Sequence, residues 1–284
     1  MPRLLIKAMK LSVIGTFGGI VLCLLCLSGC QSKFIYFPRP YPANEVDRWS
    51  KRPSHQVVDY STSDGPQKAY LLKWSQNPEH LWIVCGGNGT VALDWSDWIS
   101  SHGSRKDAWL LIDMPGYGAN AGAPGPWSIR RSLKAVVPAA MDSLHWSLPA
   151  DRGRLRFFGH SLGSAVCLMA AKEYDIRQGV LMSPFTSTMD MTKELIGVPL
   201  GFILWHRYDN LARLREIEKA GSGRVVIVHG VDDEIIPVRM ARELAAAAPN
   251  TTRVVEVRGG HHNDLPEVAP EAIENALKSA CEGP

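Results

Sequence analysis

The chain has 284 residues, 45% of them hydrophobic. That is enough for the core of one large domain and argues against wholesale disorder. The net charge is +3, from 31 basic and 28 acidic residues spread without a basic block, so a nucleic-acid-binding role is excluded for want of an electrostatic footprint.

The opening stretch MPRLLIKAMK carries Arg3, Lys7 and Lys10, and an uncharged apolar run follows from Leu11 to Gly29. A basic stretch ahead of an apolar one reads as an export signal. The run is also nearly long enough to span a bilayer as an uncleaved anchor. LSGC at 27–30 resembles the bacterial lipobox: an aliphatic residue, two small residues, then cysteine. In such lipoproteins the signal is cut before the cysteine, whose thiol and new amino group are acylated. The resemblance implies a signal peptide over 1–29 and a lipidated Cys30 that holds the protein to a membrane, each buried methylene adding about 0.8 kcal/mol. Gln31 in place of Asp implies, by the same resemblance, an outer membrane and a protein facing the periplasm. Cys23 and Cys26 would leave with the signal. Cys85, Cys167 and Cys281 show no disulfide framework and no metal-ligand spacing, and Cys85 and Cys167 read as small buried hydrophobes. Residues 31–53 hold four prolines and several aromatics, so 30–54 reads as a tether that drapes onto a domain spanning 55–284.

From residue 55 a rhythm sets in. Residues 55–75 read as two strands around a Ser63-Asp64-Gly65-Pro66 turn. Short apolar runs recur at 81–87, 107–116, 155–161, 178–184, 224–230 and 253–260, each ending in Gly, Pro or a polar residue. Such runs suit strands buried on both faces of a parallel sheet. Helix-like stretches lie at 127–146, 162–174, 237–248 and 266–281. The pattern predicts an α/β fold, a mostly parallel sheet flanked by helices on both faces. Ligand chemistry is then expected just beyond the carboxyl ends of the strands.

Gly159-His160-Ser161-Leu162-Gly163 stands at one such end, between an apolar strand and a helix of small residues. G-x-S-x-G by itself turns up by chance in roughly one chain in ten of this length. Its setting gives it meaning. A serine at a tight strand-to-helix turn projects its hydroxyl from the sheet, at a helix N-terminus whose N–H groups favour developing negative charge. A serine hydroxyl needs a base, and the base needs an orienting acid. Asp232 and Asp233 follow the strand RVVIVHG; His261 and His262 follow the strand RVVEVRGG. Serine, acid and histidine at three strand ends, in that order, predict a serine hydrolase. Spacing leaves open which aspartate and which histidine serve.

From about residue 55 to the end the chain resembles the α/β-hydrolase superfamily, nearest to its peptidase-like and protein-depalmitoylase-like serine hydrolases. In that branch the acid of HG-x-x-D-x-x-[VI]-P stands four residues before the proline, which points to Asp233. The base precedes Asn-Asp, which points to His262. The resemblance implies two oxyanion donors, the N–H of Leu162 and the N–H of Asn88 in the Gly86-Gly87-Asn88-Gly89 loop. Gly86 stands where the family has a histidine. Residues 113–125 are similar to a loop that flanks the site, with Asp113 a structural carboxylate. An insertion over about 185–222 is expected to form a short cap, with Phe202, Leu204 and Trp205 available to line an acyl pocket. His145, His160, His206 and His229 read as loop or packing residues. The expected reaction is hydrolysis of an ester or thioester, in a small-molecule or acylated substrate, through an acyl-enzyme, with no metal or organic cofactor implied. A serine peptidase or acyltransferase on the same fold, and a non-catalytic envelope lipoprotein, are the alternatives.

Overall fold

The computed structural model describes residues 31–197 and 204–282. The expected signal peptide and Cys30 lie outside the described residues, as does Phe202. Among the described residues eight strands are formed: β1 His55–Thr62, β2 Gly65–Lys73, β3 Leu81–Cys85, β4 Ala108–Ile112, β5 Leu155–His160, β6 Gln178–Met182, β7 Arg224–Gly230 and β8 Thr252–Val257. They make one sheet in the order β1-β2-β4-β3-β5-β6-β7-β8. β1 and β2 are antiparallel, and β2 meets β4 antiparallel, while every pairing from β4 to β8 is parallel. The α/β sheet expected from the rhythm of apolar runs is therefore present.

The reason those runs are continuous is visible in the packing. Successive strand residues point to opposite faces, and both faces are covered. Leu81, Ile83 and Cys85 enter one apolar core, together with Leu110 and Phe157. Trp82 and Val84 enter the other, with Trp109, Leu111 and Phe158. Trp82 and Trp109 stack across the β3–β4 pair at 5.2 Å between ring centroids. The first core is closed by four helices: α4 Pro126–Asp142, α5 Leu162–Tyr174, α7 Asn210–Ala220 and α8 Val238–Ala247. The second lies under α2 Glu45–Ser50, α3 Ser96–His102 and α10 Pro270–Cys281, with α9 Leu265–Val268 leading into α10. Among the described residues no helix is long and apolar enough to cross a membrane.

Two segments bear on the site. Residues 31–54 begin with the short helix α1 Gln31–Ile35 and lie along the domain. Tyr36 and Trp49 are buried, and the Tyr36 hydroxyl meets that of Tyr208 at 2.7 Å. The 185–222 segment holds α6 Thr188–Ile196 and α7. Each starts at a side-chain cap, Ser187 accepting from the Asp190 N–H and Asp209 from the Ala212 N–H. Each ends at a glycine with positive φ, Gly197 and Gly221, which closes a helix without the Cβ clash of other residues. α7 buries Leu214 and Ile217 in the first core, and α6 stands over the carboxyl ends of the strands. The stretch expected to be helical over 127–146 stops at Asp142, and His145 takes a positive φ in the turn beyond.

Candidate active site

β5 ends at His160 and α5 starts at Leu162, so Ser161 alone makes the corner. Its φ of 53° and ψ of −119° are strained for a residue with a Cβ, a cost of order 1–3 kcal/mol held by the surrounding packing. The flanking glycines answer to steric demand. A Cβ on Gly163 would sit 2.1 Å from the Cys85 carbonyl oxygen and 2.4 Å from that of Gly86. A Cβ on Gly159 would sit 2.7 Å from Gly163 O. Without Gly163 α5 could not come this close to β3, and without Gly159 it could not come this close to β5, so as to leave the Ser161 hydroxyl at its N-terminus.

β7 and β8 carry the partners. His262 Nε2 lies 3.0 Å from Ser161 Oγ, and His262 Nδ1 lies 2.8 Å from Asp233 Oδ2 and 3.1 Å from Oδ1. An ionised carboxylate only accepts, so Nδ1 carries the proton and the Nε2 lone pair faces the serine hydroxyl. Asp233 Oδ1 also accepts the N–H groups of Ile235 and Ile236, at 3.0 and 2.7 Å. Asp232 and His261 are not brought to Ser161. Asp232 accepts the Gly259 N–H, and the exposed His261 ring meets Glu234 at 3.1 Å.

Two histidines read from sequence as packing residues touch this arrangement. His229 is wholly buried, and its Nε2 donates to Ile236 O at 2.7 Å and lies 3.2 Å from Asp233 Oδ2. His160 Nε2 donates to the His262 carbonyl at 3.0 Å. The signal in the sequence was their placement, at the carboxyl ends of β7 and β5, where chemistry was already expected. Burial works to raise the Asp233 carboxyl. The hydrogen bonds from His229, His262 and the Ile236 N–H outweigh it and hold the group well below the usual carboxylate range. Burial, with the nearby His262 ring, pushes His160 down to about 4, so it stays neutral beside His262.

The loop after β3 approaches Ser161 from the other side. Leu162 opens α5, so its N–H has no intrahelical acceptor. The Asn88 N–H has no acceptor among the described residues. The Asn88 side chain, by contrast, is fully used. Its Oδ1 accepts from the Phe37 N–H and the Tyr117 hydroxyl, each at 2.9 Å, and its Nδ2 donates to Ile35 O at 2.6 Å. Arg39 Nε donates to Gly89 O at 3.0 Å, and its guanidinium pairs with Asp94. Tyr41 donates to buried Asp113 at 2.6 Å; burial raises that carboxyl to about 7. Residues 35–41 thus grip the loop, a role that a proline-rich tether does not disclose in sequence. At Gly86, where the resemblance leads one to expect a histidine, a Cβ would lie 2.4 Å from Thr90 Oγ1 and 2.9 Å from Trp95 Nε1.

Ser161 and His262 open into a cleft of about 540 Å³ whose walls include Ile35, Phe185, Met191, Leu195 and Leu204. Leu204 lines it, Trp205 is 75% exposed, and the larger apolar share comes from α6. Met191 and Leu195, one helical turn apart, are the spacing that sequence could have offered. Elsewhere, His80, Asp107 and Cys281 converge at the opposite end of the sheet. There Asp107 already accepts from the His80 ring at 3.0 Å and from Trp82 Nε1 at 3.0 Å.

The sheet order, the serine at the β5–α5 corner and a cleft at the carboxyl strand ends are those of the α/β-hydrolase fold. It is 31% identical over 251 residues to an uncharacterized protein of Mycobacterium tuberculosis, a match covering 87% of this chain and 84% of that one. It is 26% identical over 272 residues to human alpha/beta hydrolase domain-containing protein 17B, covering 86% and 89%. Among solved structures, a Pyrococcus furiosus esterase matches with a TM-score of 0.64 at 16% identity, over 87% of this chain and 98% of that one. The Rhodococcus esterase RhEst1 matches with a TM-score of 0.58 at 13% identity, over 79% and 98%. At those identities the likeness is one of fold. No family model matches the chain.

Proposed function

We propose that the protein is a membrane-anchored serine hydrolase that cleaves an ester or thioester with an apolar acyl group. The observation that carries this reading is the continuous line from Ser161 Oγ through the His262 ring to Asp233, opening on an apolar cleft. His262 Nε2 takes the Ser161 proton as Oγ attacks the acyl carbonyl carbon. The resulting oxyanion is met by the N–H groups of Leu162 and Asn88, which bind charge that develops only in the transition state. Asp233 stabilises the imidazolium. The tetrahedral species collapses, the bond to the alcohol or thiol breaks, and His262 returns its proton to that leaving group. Water then repeats the cycle, giving up a proton to His262 and releasing the acid from Ser161. No step calls for a metal or organic cofactor.

The apolar lining of the cleft supports an acyl substrate, and the likeness to human alpha/beta hydrolase domain-containing protein 17B supports hydrolysis. Anchoring through Cys30 rests on LSGC at the end of the apolar run. In a p-nitrophenyl ester assay of the full chain, Ser161→Ala is expected to lose turnover by at least about 10³-fold. Turnover retained at the wild-type level overturns the assignment. Cys30→Ala is expected to shift the mature mass and free the protein from the membrane fraction; unchanged mass and fractionation overturn the anchor.

A further inference from the structure

The mouth of the cleft carries several exposed apolar side chains. Phe37, Leu195, Ile196 and Ile235 line the cleft and are 59%, 70%, 58% and 41% exposed. Trp205 follows Leu204 in the chain but stands outside the cleft lining, 75% exposed. Scattered exposed hydrophobes are ordinary, but a contiguous set around a cavity marks an interaction surface. Its occupant is suggested by where the chain arrives. Gln31, the first described residue, is buried in the cleft wall, and its Oε1 accepts the Trp205 N–H at 2.7 Å. The uncharged run Leu11–Gly29 and Cys30 precede it directly. Neighbouring Cα atoms are about 3.8 Å apart, so whatever holds residue 30 at a bilayer holds this wall there too. That is true for a lipidated Cys30 and for an uncleaved apolar anchor alike.

We infer that the rim formed by Phe37, Leu195, Ile196, Trp205 and Ile235 docks into the acyl region of a lipid bilayer, so that the cleft opens toward the membrane. Its substrate's acyl chain then enters Ser161's cleft from the bilayer without crossing water. The identification of the substrate rests on the serine-hydrolase reading; the docking does not.

The test uses the full chain reconstituted in phosphatidylcholine vesicles with brominated acyl chains, read by tryptophan fluorescence. The wild-type protein is expected to be quenched, and Trp205→Phe to lose a clear part of that quenching while staying vesicle-bound. Trp205→Glu is expected to cut hydrolysis of a bilayer-resident acyl ester by roughly ten-fold, about 1.4 kcal/mol, and to leave that of soluble p-nitrophenyl acetate unchanged. Quenching identical in wild type and Trp205→Phe overturns the docking. So does an unquenched protein that forms a concentration-dependent dimer, which assigns the rim to a second copy. Failure of the serine-hydrolase reading looks different: neither ester is hydrolysed while the Trp205-dependent quenching persists.

Discussion

Asn88→Ala isolates the link between the N-terminal segment and catalysis. The wild-type side chain makes three hydrogen bonds, at 2.9, 2.9 and 2.6 Å, to Phe37 N–H, Tyr117 OH and Ile35 O. On truncation the Phe37 N–H keeps the Tyr117 hydroxyl, also at 2.9 Å. Ile35 O loses its donor and the Tyr117 hydroxyl its acceptor. Two groups left without their partner, at about 1 kcal/mol each, give a destabilisation of about 2 kcal/mol, or a Tm lower by roughly 4–8 °C for a domain of this size. Deleting an oxyanion donor outright costs ~10²–10³-fold in kcat. Here Arg39 still holds Gly89 O, so the Asn88 N–H is displaced rather than deleted, and the expected loss is ~10–100-fold in kcat with KM nearly unchanged. Thermal unfolding and p-nitrophenyl butyrate kinetics on the same preparation measure both. A lowered Tm with wild-type kcat refutes the reasoning, because it leaves the oxyanion indifferent to the grip on the loop.

Other perturbations follow from the same contacts. Gly163→Ala places a Cβ 2.1 Å from Cys85 O, so a stability loss of about 3 kcal/mol or more by urea unfolding is expected; wild-type stability contradicts the packing argument. His160, pushed down to about 4 by burial, resists protonation in the folded state while the unfolded chain accepts it near 6.5. Its contribution is therefore intact above pH 6.5 and falls by about 3 kcal/mol as pH drops to 4. His160→Asn should flatten the acid limb of stability against pH by that amount, and an unchanged limb counts against it. Met191→Trp fills the cleft: turnover of octanoyl esters should fall ~10-fold or more relative to acetyl esters, and an unaltered chain-length profile contradicts the placement of α6.

The fold was legible because β3, β4, β5 and β7 bury both faces, which writes each strand as an unbroken apolar run. The corner at Ser161 was legible because the close approach of α5 to β3 demands Gly163, and that of α5 to β5 demands Gly159, each two positions from it. Other features were not, for physical reasons. The grip of the Asn88 side chain was hidden, though its N–H was expected as a donor, since its partners Ile35, Phe37 and Tyr117 stand between 29 and 53 residues away in sequence. α3 follows a 3₁₀ turn at Ala92–Trp95 and is too short to show a helical period. His229 and His160 were indistinguishable from packing residues until Asp233 and His262 were placed beside them.

The central claim is that Ser161 is the nucleophile that His262 and Asp233 activate. Peptide mass spectrometry of the full chain after reaction with a fluorophosphonate tests it most directly. The account predicts a single adduct, on the peptide containing Ser161, absent in Ser161→Ala and much slower to form in His262→Ala. An adduct on another residue, or a folded wild-type protein that takes up no probe, contradicts it.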